Sequence, residues 1–560
     1  MLSRFCREQR NKFARKSFSL LTLAGIAAVL AITSGCGGGG SSSSPEQGGD
    51  QGTTTPPPPP PPTVFAVATY HNDNSRSGIN SQETTLTPSN VNVVSFGKVA
   101  AVPVQGAVFA QPLYVSDVTL TDGKTHNVLV VATEHDQVYG IDADTHQVLW
   151  QRSFLDSQGL ITTIPTSDVD CTVLGTEVGI TGTPVIDTAS NTIYLVAALK
   201  DITSGHAQYS QRIYALDLQS GTDKLTPVTI ITPAGSVYGD ATFSALLNLQ
   251  RSALLLENGN VYVSWASHCD NGAYTGWVMA FNSGTLQQSY AWTPDPSGLS
   301  GGIWMGGGGP SADSSGNIFL SVGNGWSDAQ SGGSNFGDSV VRLNVRGTQL
   351  AAADYFMPYD YTQLMNDDLD LGSGAPVLLP TQSAGRFSHL LVTGSKDGTV
   401  YLLNRDNLGQ YQSNNNDQVV QSFQLAAGVY ISPVFWNNTL YYGIINQPLQ
   451  AYAFDAASQT FNTTPISSSS MTMPYPGVSP SLSSNNGSAA ILWAYLSAGQ
   501  YGELRAFDAT DLTNELWDSE MSPDRDRVAG SARFGVPTVA NGQVFVGAQS
   551  EVDIYGELSQ

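Results

Sequence analysis

Residues 138–150 read VYGIDADTHQVLW, in which apolar and polar residues alternate up to Asp142 and again after the turn that follows it. Alternation with a period of two is typical of a β-strand with one buried face. An Asp or Asn side chain can accept a hydrogen bond from the backbone two residues further on, which favours a tight turn. The stretch therefore predicts a β-hairpin.

The same phrase returns six more times. It reads IYALDLQSGTDKL from Ile213, VMAFNSGTLQQ from Val278, VVRLNVRGTQL from Val340, VYLLNRDNLGQ from Val400, AYAFDAASQTF from Ala451 and LRAFDATDLTNELW from Leu504. Its turn residues are Asp142, Asp217, Asn282, Asn344, Asn404, Asp455 and Asp508. They lie 51 to 75 positions apart, more than compact propeller repeats need, so the excess is expected in loops that can carry function.

A second marker, a pair that opens a strand, runs in step with the first. Its copies are Gln111-Pro112, Thr183-Pro184, Ser252-Ala253, Gly309-Pro310, Ala375-Pro376, Ser432-Pro433, Ser479-Pro480 and Val536-Pro537. There are eight markers but seven turns, so the last sheet is one strand short, and residues 96–104 are expected to supply that strand. The prediction is an all-β protein, an eight-bladed β-propeller of four-stranded antiparallel blades whose last blade is closed by an N-terminal strand.

The N-terminus predicts a bacterial lipoprotein. Basic residues precede an apolar run at 20–32, and small residues then lead to Cys36, the expected site of lipidation, with ordinary signal cleavage nearby as the alternative. We therefore expect a lipoprotein signal peptide at 1–35, a Gly/Ser/Pro-rich disordered tether at 36–63 and a propeller at 64–560. The expected location is the cell envelope, where the protein is lipid-anchored outward of the cytoplasmic membrane, in the periplasm or at the cell surface.

The charge balance excludes one class of partner. Without the six basic residues and one acidic residue of 1–35, 17 Lys and Arg stand against 45 Asp and Glu, a net charge of −28. Such a surface repels phosphate backbones, so nucleic acid is not an expected partner. We expect a monomer.

Two of the four cysteines lie in the predicted propeller. Cys171 and Cys269 fall in neighbouring blades, and either a disulfide between them or two free thiols is compatible with the sequence. An oxidising compartment favours the disulfide.

Residues 69–94, TYHNDNSRSGINSQETTLTPSNVNVV, together with the repeats resemble the quinoprotein alcohol dehydrogenase-like superfamily. That resemblance covers the chain from Thr69 onward. It implies an eight-bladed propeller and, as in many members, pyrroloquinoline quinone (PQQ) and Ca²⁺ on the central axis.

Four segments are similar to functional positions of the catalytic members. The resemblance assigns the catalytic base to Asp370, the ring on which the quinone stacks to Trp304, calcium ligation to Asp270 and Asn324, and polarisation of a quinone carbonyl to Lys396. Each segment also has a plain structural explanation. A solvated acidic strand end, blade packing and a Lys-Asp-Gly hairpin turn produce the same patterns.

The chain also departs from the catalytic members. These commonly have two adjacent cysteines over the cofactor, whereas here Asp170 precedes the single Cys171. Residues 172–180 offer no Arg to neutralise a cofactor carboxylate, and Phe109 stands where relatives place a Glu.

Two functions follow from these observations. The first is a membrane-tethered, PQQ- and calcium-dependent oxidoreductase that acts on alcohol or sugar hydroxyls and passes electrons to a separate acceptor. The second is a non-catalytic propeller lipoprotein that serves as an envelope scaffold or as a module that binds proteins or glycans.

Overall fold

Eight β-sheets follow one another through residues 64–559, the part of the chain that the computed structural model describes. The predicted signal peptide, the tether and the lipidation site Cys36 lie outside the described residues. Among residues 64–559, no helix combines the length and the apolar composition needed to cross a bilayer.

The strands, in chain order, are β1 (Ala66–Val67), β2 (Ile79–Asn80), β3 (Phe96–Pro103), β4 (Leu113–Thr119), β5 (Thr125–Thr133), β6 (Gln137–Asp142), β7 (Val148–Ser153), β8 (Ile161–Pro165), β9 (Glu177–Val178), β10 (Val185–Asp187), β11 (Thr192–Asp201), β12 (Gln208–Asp217), β13 (Val228–Thr229), β14 (Asn248–Leu249), β15 (Leu255–Glu257), β16 (Asn260–Ser267), β17 (Trp277–Asn282), β18 (Gln288–Trp292), β19 (Ser311–Ala312), β20 (Ile318–Val322), β21 (Ser339–Arg346), β22 (Gln349–Met357), β23 (Val377–Leu378), β24 (Leu390–Gly394), β25 (Thr399–Asn404), β26 (Gln410–Tyr411), β27 (Gln421–Gln424), β28 (Val434–Trp436), β29 (Thr439–Tyr442), β30 (Pro448–Asp455), β31 (Thr460–Phe461), β32 (Ser467–Thr472), β33 (Ser481–Asn485), β34 (Ser488–Ala498), β35 (Tyr501–Asp508), β36 (Glu515–Asp518), β37 (Thr538–Ala540), β38 (Gln543–Gly547) and β39 (Glu551–Glu557). Helical segments are short: α-helices at Thr166–Val169, Tyr361–Asp367 and Pro523–Asp526, and 3₁₀ turns at Ser236–Tyr238, Met305–Gly307, Ala329–Ser331 and Leu371–Ser373.

The eight sheets are the blades of the predicted propeller. In order they contain β1 with β4–β7, then β8–β13, β14–β18, β19–β22 with β26, β23–β25 with β27, β28–β32, β2 with β33–β36, and β3 with β37–β39. Most pairs are antiparallel, but short edge strands raise some blades to five or six strands, and β2 and β26 join their sheets in parallel. The predicted fold class is confirmed, with this refinement at the blade edges.

Apolar contacts between successive blades close the ring. Each of eight buried clusters is built from two neighbouring sheets, and one of them joins the eighth blade to the first, where Tyr114 stacks on Phe545 with ring centres 6.1 Å apart. Burial of both faces of every blade is the main stabilising contribution in this architecture. The core is therefore a ring of interfaces between blades.

The predicted closing strand is confirmed. Strand β3 pairs antiparallel with β39, from Phe96 opposite Glu557 to Pro103 opposite Glu551. Phe96 is fully buried, and its ring centre lies 5.5 Å from that of Trp493 and 5.0 Å from that of Trp517. The N-terminal strand thus removes the free sheet edge of the last blade.

Six of the seven predicted turns form as expected. The strands β6, β12, β17, β25, β30 and β35 end at the predicted Asp or Asn, and its side chain accepts the N–H two residues on, as Asp142 does from Asp144 at 2.9 Å. The prediction was wrong for Asn344. There β21 runs on to Arg346, because Gly347 adopts φ +63° and makes the turn two residues later.

Residues 69–78 fill the centre of the ring. Tyr70 donates a hydrogen bond to Ser432, the backbone N–H of His71 donates to Gln111, and the buried Arg76 donates to the carbonyls of Tyr70, Leu254 and Pro310. Gln111, Pro310 and Ser432 all belong to the predicted strand-opening pairs. Those pairs therefore line the axis, and this segment ties the inner ends of the blades together.

Candidate functional site

A cavity of ≈ 330 Å³ lies where the loops of most of the blades meet. Its lining comprises Thr166, Cys171, Val173, Leu174, Val178, Leu249, Arg251, Ser267, His268, Cys269, Asp270, Trp304, Gly306, Asp368, Asp370, Gly372, Ser373, Lys396, Tyr430, Tyr475 and Phe534. The volume is within the range of small-molecule sites. Four of the five predicted cofactor and metal residues lie in this one lining: Asp270, Trp304, Asp370 and Lys396.

An aspartate–lysine cluster forms one wall. Asp370 is 1% exposed, and Nζ of Lys396 lies 2.5 Å from its Oδ1 and 2.7 Å from Oδ1 of the exposed Asp368. The backbone brings the pair together, because the N–H of Lys396 donates to the carbonyl of Asp370 at 3.1 Å. Lys396 is thus a partner of the proposed base and not merely a turn residue.

Asp370 and Lys396 each influence the pKa of the other. Burial raises the pKa of Asp370 above its ordinary value although Lys396 opposes the shift. For Lys396, desolvation favours the neutral amine, but the two aspartates outweigh it and raise the pKa of the lysine. A desolvated carboxylate with a raised pKa is a stronger base than one in water, which suits proton abstraction.

A further carboxylate, Asp338, was not predicted. It is fully buried at φ +51°, its N–H donates to the carbonyl of Gly323 at 3.0 Å, and neither of its carboxylate oxygens is hydrogen-bonded. Burial raises the pKa of Asp338 well above its ordinary value, and Asp370 raises it further. Asp338 follows Phe336-Gly337 and belongs to none of the motifs that the sequence analysis used.

Trp304 and Asp370 converge on a glycine. A β-carbon on Gly323 would lie 2.8 Å from Oδ2 of Asp370 and 2.8 Å from the Trp304 ring. The ring nitrogen of Trp304 donates to the carbonyl of Ser267 at 3.3 Å. The rings of Tyr274 and Trp304 pack in a T-shaped arrangement, with their centres 5.9 Å apart. Gly323 therefore allows the indole and the proposed base to approach each other.

The two predicted calcium ligands are placed differently. Asn324 follows Gly323 but does not line the cavity; its amide nitrogen donates to Asp368 at 2.8 Å, while its Oδ1 is buried without a donor. Asp270 lines the cavity with φ +56°, and its Oδ1 accepts the hydroxyl of Tyr274 at 2.6 Å. Within residues 64–559, no group of three or more His, Cys, Asp and Glu side chains has the arrangement of a metal site.

Cys171 and Cys269 form a disulfide that is part of the lining. Their Cα atoms lie 5.7 Å apart, and 98 positions separate the two residues in the chain. The bond connects the loop after the helix Thr166–Val169 with the loop that carries Asp270. The cavity wall therefore contains a disulfide between blades in place of a pair of adjacent cysteines.

Sequence reasoning missed the basic and aromatic residues opposite Asp370. Arg251 lies against Phe534, with its guanidinium 4.7 Å from the ring centre, and Tyr430, Tyr475 and Phe534 form a row with successive ring centres 5.6 and 6.4 Å apart. Arg251 belongs to the third blade, and the three aromatic residues lie on the loops that join the fifth blade to the sixth, the sixth to the seventh and the seventh to the eighth. Only the closed ring brings them together.

The comparisons with known proteins concern the fold. The chain matches no protein-family model, and no curated protein sequence matches it. The structure is similar to quinohemoprotein alcohol dehydrogenase from Comamonas testosteroni, at 13% identity and a TM-score of 0.59, over 88% of this chain and 80% of that chain. It is also similar to quinohemoprotein alcohol dehydrogenase ADHIIG from Pseudomonas putida HK5, at 12% identity and a TM-score of 0.56, over the same shares.

A europium-containing methanol dehydrogenase is similar at 11% identity and a TM-score of 0.52, over 88% of this chain and 98% of that chain. The predicted fold is thereby confirmed: this chain has an eight-bladed propeller like those of these dehydrogenases. Identities of 11–13% show the fold alone.

The residues present fit a planar anionic quinone and a cation. Trp304 and the aromatic row would supply ring faces, Arg251 and Lys396 would supply positive charge, and the Asp270 carboxylate and the buried Oδ1 of Asn324, which accepts no hydrogen bond, would supply oxygens to a cation.

Proposed function

We propose that the protein is a quinone-dependent oxidoreductase that acts on alcohol or sugar hydroxyls, with PQQ and Ca²⁺ as cofactors. The observation that carries the proposal is the meeting of Asp370, Lys396, Trp304 and Asp270 in one cavity, although up to 126 positions separate them in the chain. The resemblance assigned these four residues to a single cofactor site, and their common lining supports that assignment.

Asp370 is the proposed base. Oδ2 of Asp370 accepts no hydrogen bond, so it is free to take the proton of a substrate hydroxyl, while Lys396 stabilises the carboxylate through Oδ1. Trp304 and the aromatic row orient flat groups and exclude water. PQQ, when bound, supplies the acceptor for the hydride that leaves the carbon.

Reconstitution tests the proposal. Purified protein is incubated with PQQ and Ca²⁺, and dye reduction is followed over a panel of alcohols and sugars. We expect saturable, substrate-dependent dye reduction that disappears when PQQ is omitted. Absence of both dye reduction and any change in the PQQ absorption spectrum would reject the proposal.

A second function, a non-catalytic envelope scaffold, is favoured by the way Lys396 is held. Two aspartates engage its ammonium group, which leaves less positive charge for a ligand. On this alternative, an Asp270→Asn/Asp370→Asn double variant still pulls down the same envelope proteins as the unaltered chain. Loss of those proteins from the double variant would exclude the alternative.

We further propose that a lipid on Cys36 tethers the protein to the cell envelope. The apolar run before Cys36 and the proline-rich stretch after it support this. Labelling of cells with an alkynyl fatty acid is expected to mark the unaltered protein and not the Cys36→Ser variant. Equal labelling of both would remove the anchor from the proposal.

A further inference from the structure

Arg251 is a buried cation that faces the cavity. It follows β14, is only 5% exposed and belongs to the lining. Its guanidinium lies against Gly307, where a β-carbon would come within 2.7 Å of Nη1, and Gly307 itself holds φ +90°. The glycine therefore makes room for the guanidinium beside the 3₁₀ turn Met305–Gly307.

The charge of Arg251 has no ionic partner within 4.0 Å among the residues that the structure describes. None of the ion pairs within residues 64–559 includes it, and its side chain makes one long hydrogen bond, from Nη2 to the carbonyl of Gly306 at 3.5 Å. Glu134 interacts with this guanidinium electrostatically, but from beyond the 4.0 Å of an ion pair. Burial lowers the pKa of Arg251 to about 10, so the guanidinium stays charged at neutral pH.

Two other arginines, the buried Arg76 and the half-buried Arg505, show the contrast. Arg76 donates to three backbone carbonyls and to the hydroxyl of Thr69. Arg505 pairs with the carboxylates of Glu503, Glu515 and Asp518. A buried charge without such partners is destabilising, and an anion placed against it offsets that cost.

Among the described residues, Lys396 is the other Lys or Arg side chain that lines the cavity. Its ammonium group is already engaged by Asp368 and Asp370, at 2.7 and 2.5 Å. An anionic group entering the cavity is therefore attracted to Arg251. The aromatic row that begins at Phe534, beneath the guanidinium, continues over Tyr475 to Tyr430 and offers ring faces to the remainder of the same ligand.

We propose that Arg251 anchors a carboxylate group of a ring-containing ligand in this cavity. A guanidinium can bind a carboxylate through two parallel hydrogen bonds, which fixes the orientation of the ligand as well as holding it. The proposal deepens the proposed function and rests on the cavity being its ligand site, but it does not depend on quinone chemistry. The carboxylate can come from a cofactor or from an acidic substrate.

Calorimetric titration with naphthalene-2,6-dicarboxylate, a planar carboxylate that is not a quinone, tests the anchor. We expect the unaltered protein to bind it and the Arg251→Gln variant to bind at least tenfold more weakly, with Arg251→Lys in between. Arg405→Gln is the matched control, because Arg405 is also buried and free of ion pairs but lies outside this cavity; it is expected to bind like the unaltered protein. The uncharged dimethyl ester is expected not to discriminate between the variants.

Three outcomes overturn the proposal: no binding of the dicarboxylate to the unaltered protein, binding to Arg251→Gln within twofold of the unaltered value, or an equal loss in Arg405→Gln. Since removing an unpaired buried charge should not lower the melting temperature, thermal melts verify that each variant is folded. A parallel titration with PQQ separates the two proposals. If the dicarboxylate binds through Arg251 and PQQ does not bind, the anchor stands with an acidic substrate as its source, and the quinone function falls.

Discussion

At the scale of single residues, the protein concentrates buried charge around its axis. The carboxylates of Glu134, Asp338 and Asp370 are buried, and each has at least one oxygen that accepts no hydrogen bond. Such groups are costly for folding and are therefore expected where chemistry or binding needs them.

Replacing Asp370 by Asn tests the proposed base. The amide cannot accept the hydroxyl proton, so the dye-reduction rate with PQQ and Ca²⁺ is expected to fall by about 10²–10⁴-fold. Asp417→Asn, an exposed aspartate of the loop before β27, serves as the control and is expected to retain the full rate. Equal rates for Asp370→Asn and the unaltered protein would remove Asp370 from the mechanism.

The raised pKa of Glu134 predicts that the free energy of unfolding depends on pH. Burial raises its pKa from 4.5 to about 7, so the folded state holds a proton that the unfolded state releases. Its contribution to stability is full below pH 4.5 and is lost as the pH rises towards 7. Relative to Glu134→Gln, the free energy of unfolding of the unaltered protein should fall by about 3 kcal/mol over this range.

Urea unfolding at a series of pH values measures this difference. Asp295 and Asp553, whose pKa values burial raises to about 6 and about 7, titrate in the same window in both proteins and cancel in the comparison. Glu557→Gln, at an exposed glutamate, should follow the unaltered curve. Parallel curves for Glu134→Gln and the unaltered protein would contradict the prediction.

At the scale of elements, turn chemistry was predictable because it is local. Asp142 and its counterparts act through N–H groups two residues away, which the sequence displays directly. The turn prediction at Asn344 was wrong for an equally local reason, because Gly347, three residues later, adopts the positive φ of the turn. Arg251 and the row of Tyr430, Tyr475 and Phe534 could not be predicted, because only the assembled ring makes them neighbours.

The disulfide of the cavity wall joins the loops that carry Cys171 and Cys269, which belong to neighbouring blades. Because it closes a long loop, 98 positions in sequence, replacing both Cys171 and Cys269 by Ser is expected to lower the free energy of unfolding by about 2–5 kcal/mol. Reduction of the unaltered protein should lower its melting temperature similarly and leave the double variant unchanged. If calorimetry finds the same melting temperature with and without reductant, the bond does not stabilise the fold.

At the scale of the whole molecule, stability depends on closing the ring. The count of eight opening pairs against seven turns predicted both the blade number and the strand that completes the last blade. The cavity is a consequence of that closure, since its lining draws on loops from most of the ring. The placement of Asn324 behind the lining depended on backbone detail that motif spacing does not contain.

Phe96→Ala probes the closure. The side chain is fully buried between Trp493 and Trp517, so its loss should cost about 3–5 kcal/mol in the free energy of unfolding. Val99→Ala, in the same strand but 37% exposed, is the control and should cost far less. A small, equal effect of both substitutions would mean that β3 contributes little to holding the ring together.

The central claim is that residues remote in the chain form one ligand site at the axis of the propeller. A crystal structure of the protein grown with PQQ and Ca²⁺ tests it most directly. The account predicts electron density for the quinone between Trp304 and the aromatic row, with a carboxylate on Arg251 and a cation near Asp270 and Asn324. A cavity that contains only water, or quinone density on the outer wall of the propeller, would contradict the account.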